Sequence, residues 1–180
     1  MVSVAQSVRD ADFGSRVIKV DHAGEHGAVS IYTGQIFMAR LTAPHLVAEL
    51  REFRLHEMRH REIFGVELQR RGRRRCRSYQ LCGLGGLVLG LMTGLLGSSA
   101  IAATTVAVES VVLRHLEQQI AQLRLIDPSA VAAIVTIVDE EREHHDRSLV
   151  HARAGRFWPR VLTPLVSIST EAVIWVGMRV

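Results

Sequence analysis

Two glutamates in this sequence are each followed, 32 positions later, by a Glu-x-x-His pair. Glu25 precedes Glu57 and His60, and Glu109 precedes Glu141 and His144, so the second set repeats the first at an offset of 84. A single Glu-x-x-His is ordinary in a chain with nine histidines. Two of them, each led by an acid at one spacing, are an internal repeat of chemistry rather than of bulk sequence. Residues three apart share one face of a helix, and here that face is apolar. Ile18, Val29, Tyr32 and Ile36 share a stripe with Glu25, and Leu50, Phe53, Phe64 and Leu68 share one with Glu57 and His60. Val106, Val112, Leu113 and Leu116 surround Glu109, and Ile134, Ile137 and Val138 lead into Glu141. A bare buried carboxylate is too costly to persist unless it is neutralised or paired. Four such acids are balanced by two divalent cations, so the pattern asks for four helices converging on two ions.

One Glu from each of two helices and a Glu-x-x-His from each of two others is the ligand set known for ferritin-like carboxylate-bridged dimetal sites. Oxygen and imidazole donors suit iron or manganese better than soft metals. The candidate ligands are therefore Glu25, Glu57, His60, Glu109, Glu141 and His144, with either Glu57 and Glu141 or Glu25 and Glu109 as the bridging pair. His56 and His145 abut the ligands but break the repeat, and His22, His26, His45 and His151 are expected outside the ligand set. Asp21, one turn before Glu25, is a candidate to hydrogen-bond a ligand histidine. His115, six residues past Glu109, is a candidate polar gate or proton relay above the site.

The remaining sequence reads as helix. Strand signals are weak, and the four prolines mostly sit where helices should begin. The apolar period predicts helices over 15–41 and 44–71, an apolar segment over 81–96, and a helix from Ser98 or Ser99 to Ile126. A fifth runs from Pro128 to about 154, with Gly155 as its stop, and a last one runs from Pro159 or Pro164 to the end. At 180 residues this is one domain, with residues 1–15 as a flexible lead. That lead, MVSVAQSVRDADFGS, has no apolar core of a secretory signal, which points to a bacterial chain or a mature or trimmed form. Cys76 and Cys82 are isolated, with no zinc or disulfide framework, so a reducing compartment is expected.

The chain is 48% apolar and carries a net charge of +4, almost all of its basic excess as arginine. Residues 70–77, RRGRRRCR, concentrate that charge. Aromatic residues are 5% of the chain and none interleave with these arginines, which argues against nucleic acid. The next segment decides the partner. From Leu81 to Val108 there is no charged residue, a length that could span a bilayer. Six glycines between Gly83 and Gly97, and a break at Gly97-Ser98-Ser99, instead favour a segment that enters the membrane from one side or covers a greasy cavity. A basic run followed by such a segment predicts interfacial attachment.

Several motifs together resemble the demethoxyubiquinone hydroxylase family of ubiquinone biosynthesis. They are VDHAGEHGAVSIYTGQ, HEMRH, MTGLLG with TVAVES, EEREHHD and the terminal IWVGMRV. The chain departs from that family's pattern at RRRCRSYQLCGLGG, at Ser110 and at Leu116. The resemblance implies an all-α, ferritin-like four-helix bundle core with extra membrane-interfacial helical segments, and a non-haem di-iron monooxygenase. Its substrate would be a polyprenylated demethoxyubiquinol, hydroxylated with O₂ at an unsubstituted ring carbon. Two iron ions would be held by the six residues named above. Electrons would come from NADH, a reductase or the quinol itself. GLGGLVLG has no strand before it, so no dinucleotide fingerprint exists here. The implied location is the cytoplasmic face of a bacterial inner membrane, or the matrix face of the mitochondrial inner membrane for a eukaryotic form. Other ubiquinone-biosynthesis proteins and a homo-oligomer are possible partners. Two alternatives stay open: a related hydroxylase of another lipid-linked aromatic, and a ferritin-type iron- or peroxide-handling protein.

Overall fold

The computed structural model describes residues 4–153, 155 and 157–179, with side chains from residue 12 onward. Seven α-helices follow one another: α1 Val4–Thr42, α2 Val47–Arg70, α3 Tyr79–Leu95, α4 Ser98–Leu123, α5 Pro128–Val135, α6 Val138–Arg153 and α7 Phe157–Gly177. No strand occurs among the described residues. The fold is all-α and consistent with a ferritin-like bundle, as the sequence led us to expect.

Local chemistry sets the ends. A short 3-10 turn at Pro44–Leu46 reverses the chain between α1 and α2. The second helix stops in a Schellman arrangement: Gly72 takes a φ of 62°, its N–H donates to Gln69, and the Arg73 N–H donates to Leu68. Asp127 caps α5 by accepting from the Ala130 N–H, with Pro128 in the first turn. The same carboxylate pairs with Arg71, which also holds Glu67. The end of α2 is thereby fixed to the start of α5.

Three sequence expectations are corrected. The first helix begins at Val4, not Ser15, so part of the lead is helical. Pro164 lies inside α7, which begins at Phe157. The expected single helix from Pro128 to about 154 is two, broken at Thr136–Ile137. The Thr136 hydroxyl donates to the Ala133 carbonyl, the acceptor that Ile137 would use in a continuous helix. The Ile137 N–H donates instead to Ile134, tightening the turn. Ile134 and Ile137 both stay buried, so the break keeps two apolar side chains in the core.

The helices form two similar halves. In the first, α2 returns antiparallel to α1, and α3 then runs parallel to α1 on its outer side. Their contact is backbone to backbone: a Cβ on Gly86 would lie 2.3 Å from the Gly27 carbonyl oxygen, and one on Gly90 would lie 2.1 Å from that of Ile31. The glycines of this apolar segment are thus a contact stripe, since small residues let helices approach closely. In the second half, α6 returns antiparallel to α4 and α7 runs parallel to α4, as the Ser167–Ala107 and Arg114–Glu171 contacts show. The four inner helices are α1, α2, α4 and α6. Two apolar plugs fill their interior. One gathers Val17, Ile18, Phe64, Leu68, Leu116 and Ile134, and the other Tyr32, Ile36, Leu50, Phe53 and Ile101. Each large apolar side chain buried there contributes about 2 kcal/mol. Between the plugs lies a polar layer.

Candidate metal centre

That polar layer contains all six predicted ligands, and all six are buried, with His60 and His144 at 0% exposure. Their donor atoms fall into two overlapping groups. Glu25, Glu57, His60 and Glu141 bring one donor atom each within 4.8 Å of one another, and so do Glu57, Glu109, Glu141 and His144. Glu57 and Glu141 belong to both groups, whereas Glu25 and Glu109 belong to one each.

Each histidine reaches across the bundle. His60 Nδ1 lies 2.8 Å from Glu141 Oε1, and His144 Nδ1 lies 3.1 Å from Glu57 Oε1. Within each Glu-x-x-His pair the separation is 3.8 Å. These close approaches do not satisfy buried polar groups. Glu57 Oε1, Glu141 Oε1, His60 Nδ1 and His144 Nδ1 are all buried without a hydrogen-bond partner among the described residues. Unpartnered donors gathered this closely suit shared cations, and unpartnered buried polar atoms otherwise cost about 1–3 kcal/mol each. The residues fit a pair of metal ions.

The local sequence explains the placement. Glu141 lies in the first turn of α6 with Asp139 and Glu140, where the helix dipole favours acids. It is buried one turn past Ile137, whose carbonyl accepts from the Glu141 N–H.

Electrostatics show the strain of holding these acids together. Burial raises Glu25 well above the carboxylate range, and the neighbouring Glu57 and Glu141 raise it further. Burial does the same to Glu109, again with Glu141 and Glu57. Burial would also raise Glu57, but the His144 and His60 rings that face it outweigh burial and hold Glu57 low. His60 is lowered by burial yet ends raised to about 10, because Glu141 and Glu57 face it. The cluster thus collects protons where cations would otherwise balance it.

Three partners of the predicted ligands give no individual signal in the sequence. Tyr32, read only as part of an apolar stripe, donates its hydroxyl to Glu109 Oε1 at 3.0 Å. Glu140 Oε2 lies 2.7 Å from His60 Nε2, and His56 Nδ1 lies 3.0 Å from His144 Nε2. Metal-bound histidines characteristically donate their outer N–H to such groups. The available signal was the repeat itself, because Glu140 and His56 are also 84 positions apart.

The two auxiliary expectations fare differently. Asp21 does not hold a ligand histidine; its Oδ1 accepts from Gln119 Nε2 at 2.9 Å. Burial raises its carboxyl to about 7, with the Gln119 hydrogen bond opposing. The helix turn that separates Asp21 from Glu25 puts it level with α4 residues beyond the cluster. His115 Nε2 lies 2.8 Å from Glu171 Oε2 on α7, at the α4–α7 seam.

The sequence profile described as "Ubiquinone biosynthesis protein COQ7" matches residues 12–177. The chain belongs to the COQ7 family. Among curated relatives, the "NADPH-dependent 3-demethoxyubiquinone 3-hydroxylase, mitochondrial" of Mus musculus is 36% identical over 168 residues, covering 91% of this chain and 76% of that protein. The "3-demethoxyubiquinol 3-hydroxylase" of Rhodospirillum rubrum is 35% identical over 167 residues, covering 92% and 77%. The Dictyostelium discoideum protein, with the same name as the mouse one, is 31% identical over 169 residues, covering 92% and 76%. Membership in the COQ7 family covers both halves of the bundle and all six buried donors.

Proposed function

We propose that this chain is a demethoxyubiquinol hydroxylase acting at a di-iron centre held by Glu25, Glu57, His60, Glu109, Glu141 and His144. The crossed pairing of His60 with Glu141 and His144 with Glu57 carries this reading, because it converges unpartnered donors on two points inside a COQ7-family bundle. Glu57 and Glu141, common to both groups, would serve both ions, and Glu25 and Glu109 would serve one each. Two iron ions bound there would supply reduction of O₂ and transfer of one oxygen atom to the quinol ring. The protein's own part is positional and electrostatic. Four carboxylates neutralise the ions. The apolar plugs on both sides exclude bulk water. Tyr32 holds Glu109 in one orientation. Glu140 and His56 fix the ring planes of the two histidines. The reductant is external, a nicotinamide donor or a reductase.

A membrane surface is the proposed source of substrate. Leu81, Leu84, Val88, Met92 and Leu95 on α3 are exposed, as are Leu165, Ile168 and Trp175 on α7. Ile31, Leu89, Val108 and Leu162 pack together beneath these two helices, so both cover the same side of the bundle. The exposed arginines of 73–77 flank the start of α3 and suit anionic headgroups. The helix Ser98–Leu123 is long and apolar enough to cross a membrane, but 61% of its apolar window is buried and it carries Glu109, so we read it as a core helix. A cleft of about 330 Å³ between α4, α6 and α7, with Val106 one turn from Glu109, supports entry of a prenyl tail from that side.

The test is anaerobic purification in mild detergent, iron analysis, and an ¹⁸O₂ reaction with a demethoxyubiquinol. About two irons per chain and one ¹⁸O in the product are expected. Two irons with no product would redirect the search to another lipid-linked aromatic, and absence of iron uptake would overturn the centre.

A further inference from the structure

The repeat that places the ligands also places the groups behind them, and there its chemistry differs. Glu140 and His56 occupy equivalent positions 84 residues apart. Each faces the outer nitrogen of the histidine on the opposite helix: Glu140 to His60 at 2.7 Å, and His56 to His144 at 3.0 Å. Glu140 accepts as a carboxylate, making a charge-assisted bond. His56 offers an imidazole in the same place, which carries no full negative charge. A second difference runs the same way. Tyr32 donates to Glu109, but the equivalent position on α4 is Leu116, which has nothing to donate to Glu25. Among the described residues no hydroxyl donates to Glu25.

These differences sum. A carboxylate behind a ligand histidine raises that ligand's basicity. A hydroxyl on a ligand carboxylate draws charge away from the ion. The set around Glu25 and His60 therefore has the stronger donors, and the set around Glu109 and His144 the weaker. Arg59 binds the other oxygen of Glu140, but its side chain is 52% exposed and solvent screens it.

Building on the dimetal reading above, we infer that the two metal positions are unequal: the Glu25–His60 position fills first and holds its ion more tightly, with Glu140 and His56 as the positioning residues that set the difference. Both residues are partly exposed, so changes there leave the core packing in place.

Anaerobic calorimetric titration of the full chain with ferrous ion tests this. The wild type should bind in two resolved steps. Glu140→Gln should weaken the tighter step on the order of 10–100-fold and spare the other. His56→Glu, which copies the stronger backing onto the weaker side, should tighten the second step and draw the two together. With ⁵⁷Fe at one equivalent, Mössbauer spectra of the wild type should show one ferrous environment, not an even mixture of two. Two ions bound with equal affinity, or Glu140→Gln weakening both steps alike, would overturn the inference while leaving the dimetal centre standing. Uptake of fewer than two ions would overturn both.

Discussion

His60 Nδ1 sits 2.8 Å from Glu141 on the opposite side of the bundle and 3.8 Å from Glu57, its neighbour one helical turn away. The Glu-x-x-His motif is therefore not a self-contained clamp. Each motif gives two donors to one group and one to the other.

This crossing predicts different losses for different glutamates. Glu57→Ala or Glu141→Ala should remove both ions, because each residue serves both groups. Glu25→Ala or Glu109→Ala should leave close to one ion per chain while abolishing hydroxylation. Metal analysis by mass spectrometry beside a product assay checks this. Full activity in Glu109→Ala would sink the ligand assignment.

Without metal, stability should fall as pH rises. Glu25 and Glu109 have folded pKa values raised above their unfolded ones, so their contribution is present at low pH and lost as pH climbs past the ordinary carboxylate value. His60, raised to about 10, contributes below its unfolded value of 6.5 and loses this as pH approaches 10. Asp21, raised to about 7, adds a loss between 3.8 and 7. Glu57, Glu67 and His22 are among the groups that oppose: their folded pKa values are lowered, so their contributions are fully present above their unfolded values of 4.5, 4.5 and 6.5 and are lost at lower pH. Thermal melts of metal-free protein at pH 5, 7 and 9 should give a falling midpoint, and metal should restore it most at the alkaline end. A midpoint that rises with pH without metal would contradict the balance.

Two glycines of α3 should behave in opposite ways. Gly90→Val drives a side chain into the Ile31 backbone and should cost at least about 2–3 kcal/mol. Gly85→Ala meets nothing within 4 Å and should stabilise by about 0.5–1 kcal/mol through helix propensity. Urea unfolding in a fixed detergent compares them directly. Equal effects would mean that α3 does not rest on α1 as described.

Binding to vesicles should need both charge and grease. Replacing Arg73, Arg74, Arg75 and Arg77 by Gln should weaken sedimentation with anionic vesicles and flatten its salt dependence. Leu84→Asp together with Met92→Asp should weaken it at every salt concentration. Iron content should not change in either variant. Unaltered vesicle binding in both would remove α3 from the proposed membrane surface.

What the sequence disclosed was chemistry with a period. Six acids and histidines at a fixed offset identified the four inner helices and the buried layer before any packing was known. What it concealed depended on competition and on distance. Thr136 looks like any helical threonine until its hydroxyl captures the carbonyl that Ile137 needed. Gly86 and Gly90 carry no sign of their partner because nothing in α3 itself announces that α1 will bring Gly27 and Ile31 against them. Tyr32 matched its apolar neighbours in spacing, and only the approach of α4 turns its hydroxyl into the partner of Glu109. Asp21 was misread for the same reason, since Gln119, which claims it, is 98 residues away.

The glycine contact has a mechanical consequence. Where Gly86 and Gly90 bring α3 backbone to backbone with Gly27 and Ile31, α1 is doubled into a thick beam, and Glu25 is mounted on it. Glu141 and His144 are mounted on a short strut that starts just after a turn. The compliance of the centre is therefore lopsided. A change in the spacing of the buried donors should therefore be taken up on the strut's side and not on the beam's.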